Sequence, residues 1–127
     1  MKHPAITEPA LREQVERFYE RARLDSALGP VFERAIQDWP PHIATITAFW
    51  VRTMLGVPGY AGNAFAKHQD KGIAPDMFER WLTLWGETAE SLFEAEPAGE
   101  LAARAQMIGR GLKMGLFQGP GPVFPEV

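Results

Sequence analysis

Three observations predict an all-α fold. Apolar residues recur at spacings of three and four almost throughout, no stretch keeps a convincing period of two, and Pro and Gly mark several segment boundaries. The chain has 127 residues, 46% of them hydrophobic, which is enough for one domain with a real core. A single domain over residues 1–127 is expected, with a flexible N-terminus (1–8) and a loose Gly/Pro-rich tail (118–127).

The first helix is expected from about Pro9, a favoured first-turn residue, with Leu11, Val15, Phe18 and Ala22 on one stripe and Tyr19 one step round. A short second segment covers roughly Ala27 to Ile36 and carries Leu28, Val31, Phe32 and Ile36. Pro40-Pro41 starts a third helix with Ile43, Ile46, Trp50 and Met54 on one face, and Gly56-Val57-Pro58-Gly59 ends it. From Tyr60 to Gly72 there is room for at most a two-turn helix, from about Gly62 to Gln69.

Pro75 opens a long helix, about 75 to 94, whose stripe is Met77, Phe78, Trp81, Trp85, Ala89, Leu92 and Phe93. A turn over Glu94 to Gly99 precedes a last helix from about Glu100 to Phe117 through Leu101, Ala105, Ile108, Leu112 and Leu116. Lengths this unequal argue against a symmetric four-helix bundle. They suit helices packed at steep angles as a sandwich with a crevice inside. Eight Phe, four Trp and two Tyr exceed the needs of a small core and are candidates for its walls.

Composition excludes several chemistries. With no Cys there is no disulfide, iron–sulfur cluster, thiolate nucleophile, Cys-ligated zinc or C-x-x-C-H haem attachment. A net charge of −3 provides no electrostatic footprint for nucleic acid. The longest apolar run is Ala48-Phe49-Trp50-Val51, far short of a membrane span, and no apolar leader follows Met1. A soluble cytoplasmic protein is expected. A Glu-x-x-His pair is missing, because Trp39 and Phe65 stand three before His42 and His68. So is H-x-x-x-H, because Ile46 and Gly72 stand four after them. Ser26 and Ser91 have no neighbours that mark a nucleophile, and Gly109-Arg110-Gly111 lacks phosphate-loop spacing.

Two mid-chain histidines set among apolar residues survive. His42 is aligned with Ile46 and Phe49 at i+4 and i+7, and His68 follows Phe65 at i−3, beside Lys67 and Gln69. Taken alone, each also fits a surface or satisfied histidine.

The wider pattern resembles the truncated haemoglobins, specifically group III. It runs from about Val15 to Leu116: Phe18-Tyr19-Glu20-x-x-Arg23-x-Asp25-x-x-Leu28-Gly29-Pro30-x-Phe32, then His42 with Phe49-Trp50, then Tyr60-x-Gly62 leading to Lys67-His68. Phe78-x-x-Trp81-Leu82 and Arg104-Ala105-Gln106-Met107-Ile108 complete it. The glycine pairs that groups I and II carry at helix junctions are not evident, which favours group III.

The resemblance implies a truncated globin fold, a two-over-two helical sandwich around a haem crevice. It implies non-covalent haem b with His68 as the proximal iron ligand, and Tyr19, His42 and Trp81 on the distal side where a diatomic ligand binds. Phe32, Ile46, Phe49, Met54, Phe65, Met77, Phe78, Ile108 and Leu112 are available to line the porphyrin, some of them as ordinary packing residues, and Lys67 is a candidate propionate partner. Trp50 and Trp85 read as structural. Tyr19 and Trp81 are donors for the partial negative charge of bound dioxygen. For His42, a donor, a gate to solvent and a second axial ligand all remain open, with a gate preferred.

The function implied is reversible binding of dioxygen or another diatomic ligand by a monomer or weak dimer. A haem enzyme of peroxidase-like or nitric-oxide-detoxifying type is the alternative and would need a separate electron donor, since no flavin or nicotinamide signature is present. A helical interaction protein without haem is the third reading. The fold class alone does not separate them.

Overall fold

In the computed structural model, residues 1–60 and 75–117 are described, with Pro75 and residues 113–117 described by backbone alone. The described residues form α1 (Glu8–Leu24), α2 (Gly29–Ala35), α3 (Trp39–Leu55), α4 (Pro75–Leu92) and α5 (Ala95–Phe117). The expected short helix at 62–69 and the tail from 118 lie outside the described residues.

Local chemistry accounts for the boundaries. The Thr7 hydroxyl accepts from the Ala10 amide at 3.3 Å and caps α1, which starts at Glu8, one residue ahead of Pro9. Glu8 in the first turn and Arg21 and Arg23 in the last complement the helix dipole. The α1–α2 turn is organised by Asp25, whose carboxylate accepts from the amides of Ala27 and Leu28, both at 3.0 Å. The same carboxylate accepts from Arg80 Nε at 2.6 Å, tying that turn to α4. α3 carries Pro40 and Pro41 in its first turn, where no intrahelical N–H is needed, and stops at Gly56 in the left-handed conformation, φ 71°.

One expected boundary is displaced. The last helix begins at Ala95 rather than near Glu100, so the turn over Glu94–Gly99 shrinks to the joint between α4 and α5. Pro97 is the reason: inside the first turn it starts a helix instead of breaking one, and the Ala98 amide closes on the Glu94 carbonyl at 3.0 Å. The N-terminal segment clasps this joint. His3 donates its amide to Leu92 O at 2.8 Å and accepts from the Glu94 amide at 2.9 Å. Its ring pairs with Glu13 at 2.7 Å and packs on Phe93, giving His3 a structural task that its sequence position did not suggest.

α1 is the hub. It packs against α2, α3 and α4, while α4 pairs with α5, so α1–α3 and α4–α5 form the two layers. The buried stripe of α1 is Ala10, Leu11, Gln14, Val15, Phe18, Tyr19 and Ala22. Trp85 of α4 sits at the centre, stacked on Trp50 of α3 at 4.4 Å between ring centroids. Its indole N–H donates to Leu101 O in α5 and its carbonyl accepts from the Gln14 side chain. Among the described residues, α3 and α5 do not pack along their lengths, and no helix is long and apolar enough to cross a membrane.

Gly29 is required by space. A Cβ there would lie 2.7 Å from the Arg23 carbonyl oxygen, which is backbone and cannot swing aside. Gly29→Ala is therefore expected to cost about 1–3 kcal/mol in urea unfolding. Gly86→Ala, whose Cβ would meet nothing within 4 Å in the α4 interior, should gain about 0.5–1 kcal/mol. Equal stability of the two variants would contradict this account of the α1–α2 turn.

Asp25 gives a pH dependence. Burial works to raise its carboxyl pKa, but the Leu28 amide, Arg80 and the Ala27 amide together outweigh it and hold the group below its ordinary value. A folded value below the unfolded one stabilises the protein above an unfolded carboxyl pKa of about 4, and that contribution disappears as pH falls through the folded value. Melting temperatures measured from about pH 6 to pH 3 should fall less steeply for Asp25→Asn than for the wild type. Parallel curves would show that the carboxylate does not act in this way.

Candidate functional site

The site grows out of two adjacent residues on α1. Successive helical side chains diverge by about 100°, so Phe18 and Tyr19 face different neighbours. Phe18 makes edge contacts with Trp81 and Trp85 of α4. Tyr19 makes them with Phe32 of α2 and with Trp39 and His42 of α3. The phenol is buried, and its oxygen lies 2.9 Å from His42 Nε2. Burial pushes its pKa well above the ordinary tyrosine value, so the O–H stays intact and remains a donor.

His42 stands in the first turn of α3 and is half-buried. One turn before it, Trp39 crosses its ring almost at right angles, with centroids 5.9 Å apart. The Arg23 guanidinium lies over the Trp39 ring at 4.3 Å and is paired with Glu33 at 3.3 Å.

Trp81 is half-buried on the other side of Phe18. It stacks on Trp85 at 6.3 Å, and its benzo edge lies beside Gly109 of α5, 3.7 Å from where a Cβ would stand, an ordinary contact distance. Trp50 and Trp85 are almost completely buried, as structural residues should be.

The apolar residues singled out from the sequence fall into two groups. Phe49, Phe78 and Leu112 are buried. Phe32, Ile46, Met54, Met77 and Ile108 are half-covered and packed against the core. Ile46 and Met54 of α3, Met77 of α4 and Ile108 of α5 each pack on the shared core while part of their apolar surface stays uncovered, so both layers present such surface. A flat apolar cofactor would suit these side chains, since it would bury surface that the chain alone leaves partly in water. Phe65, Lys67 and His68 lie outside the described residues.

The structure thus brings Tyr19 and His42 into direct contact and sets Trp81 one ring away, across Phe18. Trp39 and Arg23 are site neighbours to which the sequence reading gave no role, although Arg23 belongs to the quoted pattern. Helical spacing carried the signal: Trp39 is three before His42, and Arg23 is four after Tyr19.

The chain matches no family model. It is 36% identical over 113 residues to a group 3 truncated hemoglobin of Campylobacter jejuni, an alignment covering 85% of this chain and 89% of that protein. It is also similar to the crystal structure of the group III truncated hemoglobin from Campylobacter jejuni. There the TM-score is 0.88 with 34% sequence identity, covering 96% of this chain and all of the other. The architecture is therefore the two-over-two truncated globin sandwich expected from the sequence. It is a haem-binding globin fold, suited to reversible binding of a diatomic ligand. On relationship and fold together, the chain belongs to the group III truncated haemoglobins.

Proposed function

We propose that this protein holds haem b non-covalently against the apolar side chains of its two layers, with His68 as proximal iron ligand, and binds dioxygen or another diatomic ligand under Tyr19, His42 and Trp81. The bound haem would supply a ferrous iron that takes the ligand; the chain's own residues supply an apolar enclosure and aimed donors. Phe32, Ile46, Phe49, Met54, Phe65, Met77, Phe78, Ile108 and Leu112 line the group in this reading, and Lys67 meets a propionate.

The observation that carries the proposal is the buried Tyr19 hydroxyl 2.9 Å from His42 Nε2. A phenol has one proton and an oxygen that also accepts. If Tyr19 gives its proton to Nε2, it has none for a ligand. If Nε2 carries a proton and donates it to the Tyr19 oxygen, the phenol O–H is free to point at the ligand's outer atom. The second arrangement is the functional one here, with His42 orienting and polarising Tyr19. The donors then oppose ligand escape, and the apolar surround keeps competing water away.

The proposal is tested with haemin and the purified protein. A Soret band should develop with the wild type and be lost or strongly shifted in His68→Ala; an unchanged spectrum in that variant would contradict proximal ligation. A charge-assisted hydrogen bond of about 1.5–3 kcal/mol corresponds to roughly 10- to 100-fold in ligand escape. Oxygen dissociation should accordingly quicken at least several-fold in Tyr19→Phe and in Trp81→Phe. Unaltered release in both would place these side chains outside the ligand pocket.

A further inference from the structure

Trp39 has no task in the ligand chemistry just described, yet it is held more elaborately than a rim residue needs. It is the first residue of α3, whose N-cap residue Asp38 makes no side-chain capping bond, so the helix end is not fixed in the usual way. Pro40 and Pro41 follow, and their rings lock φ, leaving few soft dihedrals between Trp39 and His42. His42 comes at i+3 on the same side of the helix, and the two rings meet edge-on at 5.9 Å.

The indole is gripped from two further elements. Tyr19 of α1 meets it at 5.2 Å and Phe32 of α2 at 6.4 Å. Arg23 of α1 lies over the ring at 4.3 Å, with its own position steadied by Glu33 of α2. Movement of His42 relative to this rigid proline-bounded turn must come from its side chain, and the Trp39 ring lies along one side of the space that side chain occupies.

Building on the haem reading, we infer that Trp39 is a positioning residue, a latch that holds the His42 imidazole against Tyr19. Clamped by Arg23, the indole keeps the histidine inward and the distal side closed. Loosening the indole lets His42 turn toward solvent and opens a route for ligand. The Arg23–Trp39 contact sets how often this happens.

The test uses the full chain loaded with haem and reads carbon monoxide association after flash photolysis. Trp39→Leu removes three aromatic contacts and the cation–π contact together and should speed association about tenfold. Arg23→Met, a change at a side chain 44% exposed, should speed it roughly two- to fivefold. Trp39→Phe should restore most of the wild-type rate.

In a His42→Leu background neither substitution should matter, because the latch acts through the histidine. Equal acceleration by Trp39→Leu in that background would make the indole a plain steric plug and overturn the inference. So would unchanged rates in both single variants. A second reading needs no ligand: modification of His42 by diethyl pyrocarbonate, followed on its peptide by mass spectrometry, should be faster in Trp39→Leu and Arg23→Met. Equal modification in all three proteins would also overturn it. Failure of the wild type to develop a Soret band would instead count against the haem reading.

Discussion

The Phe18–Tyr19 pair is the joint on which the molecule turns. One helical step places Phe18 against the indoles of α4 and Tyr19 against the aromatic rings of α2 and α3. Both are buried, so α1 cannot rotate or slide without undoing the two sets of contacts at once. Core and site are therefore not separate problems here. The packing that fixes the angle of α1 between the two layers also aims the phenol at His42.

Burial also sets the chemistry of that phenol. A tyrosine in water would keep its proton at neutral pH in any case, but one held away from water has no solvent partner for its hydroxyl. It must therefore find a partner in the protein. His42 Nε2 is that partner, and imidazole is well suited because it can donate or accept according to its tautomer. A hydroxyl that can be turned by its neighbour's proton is a more adaptable donor than a fixed amide. Asp25 shows the opposite solution: its carboxylate is anchored by two amides and Arg80, and it serves structure by keeping the α1–α2 turn in place.

Much of this was legible in the sequence, for identifiable reasons. The stripe Leu11, Val15, Phe18, Ala22 is buried as helical spacing requires, and Gly56 ends α3 where a left-handed residue is needed. The start of α5 was misplaced because Pro97 reads equally as a breaker or a first-turn residue, and only the Glu94–Ala98 hydrogen bond distinguishes them. The N-terminal clasp on Phe93 was not legible at all, since it pairs residues about ninety positions apart through backbone groups that every sequence possesses. The resemblance implied that Tyr19 and His42 share one side of the site, but not that they touch. Their bond depends on how α1 and α3 cross, and no local pattern encodes a crossing. Trp39 was given no role because its i+3 spacing to His42 gains meaning only once Arg23 and Tyr19 of another helix are seen to hold its ring.

In the proposed arrangement His42 donates to Tyr19 so that Tyr19 can donate to the ligand. The tautomer of His42 tests it most directly. In the diamagnetic carbon monoxide complex of the haem-loaded protein with nitrogen-15-labelled histidine, the Nε2 resonance reports whether that nitrogen carries a proton. A protonated Nε2 is expected, with a correlation to a hydrogen-bonded proton shared with the Tyr19 oxygen that is absent in Tyr19→Phe. An unprotonated Nε2 accepting from the phenol would contradict it.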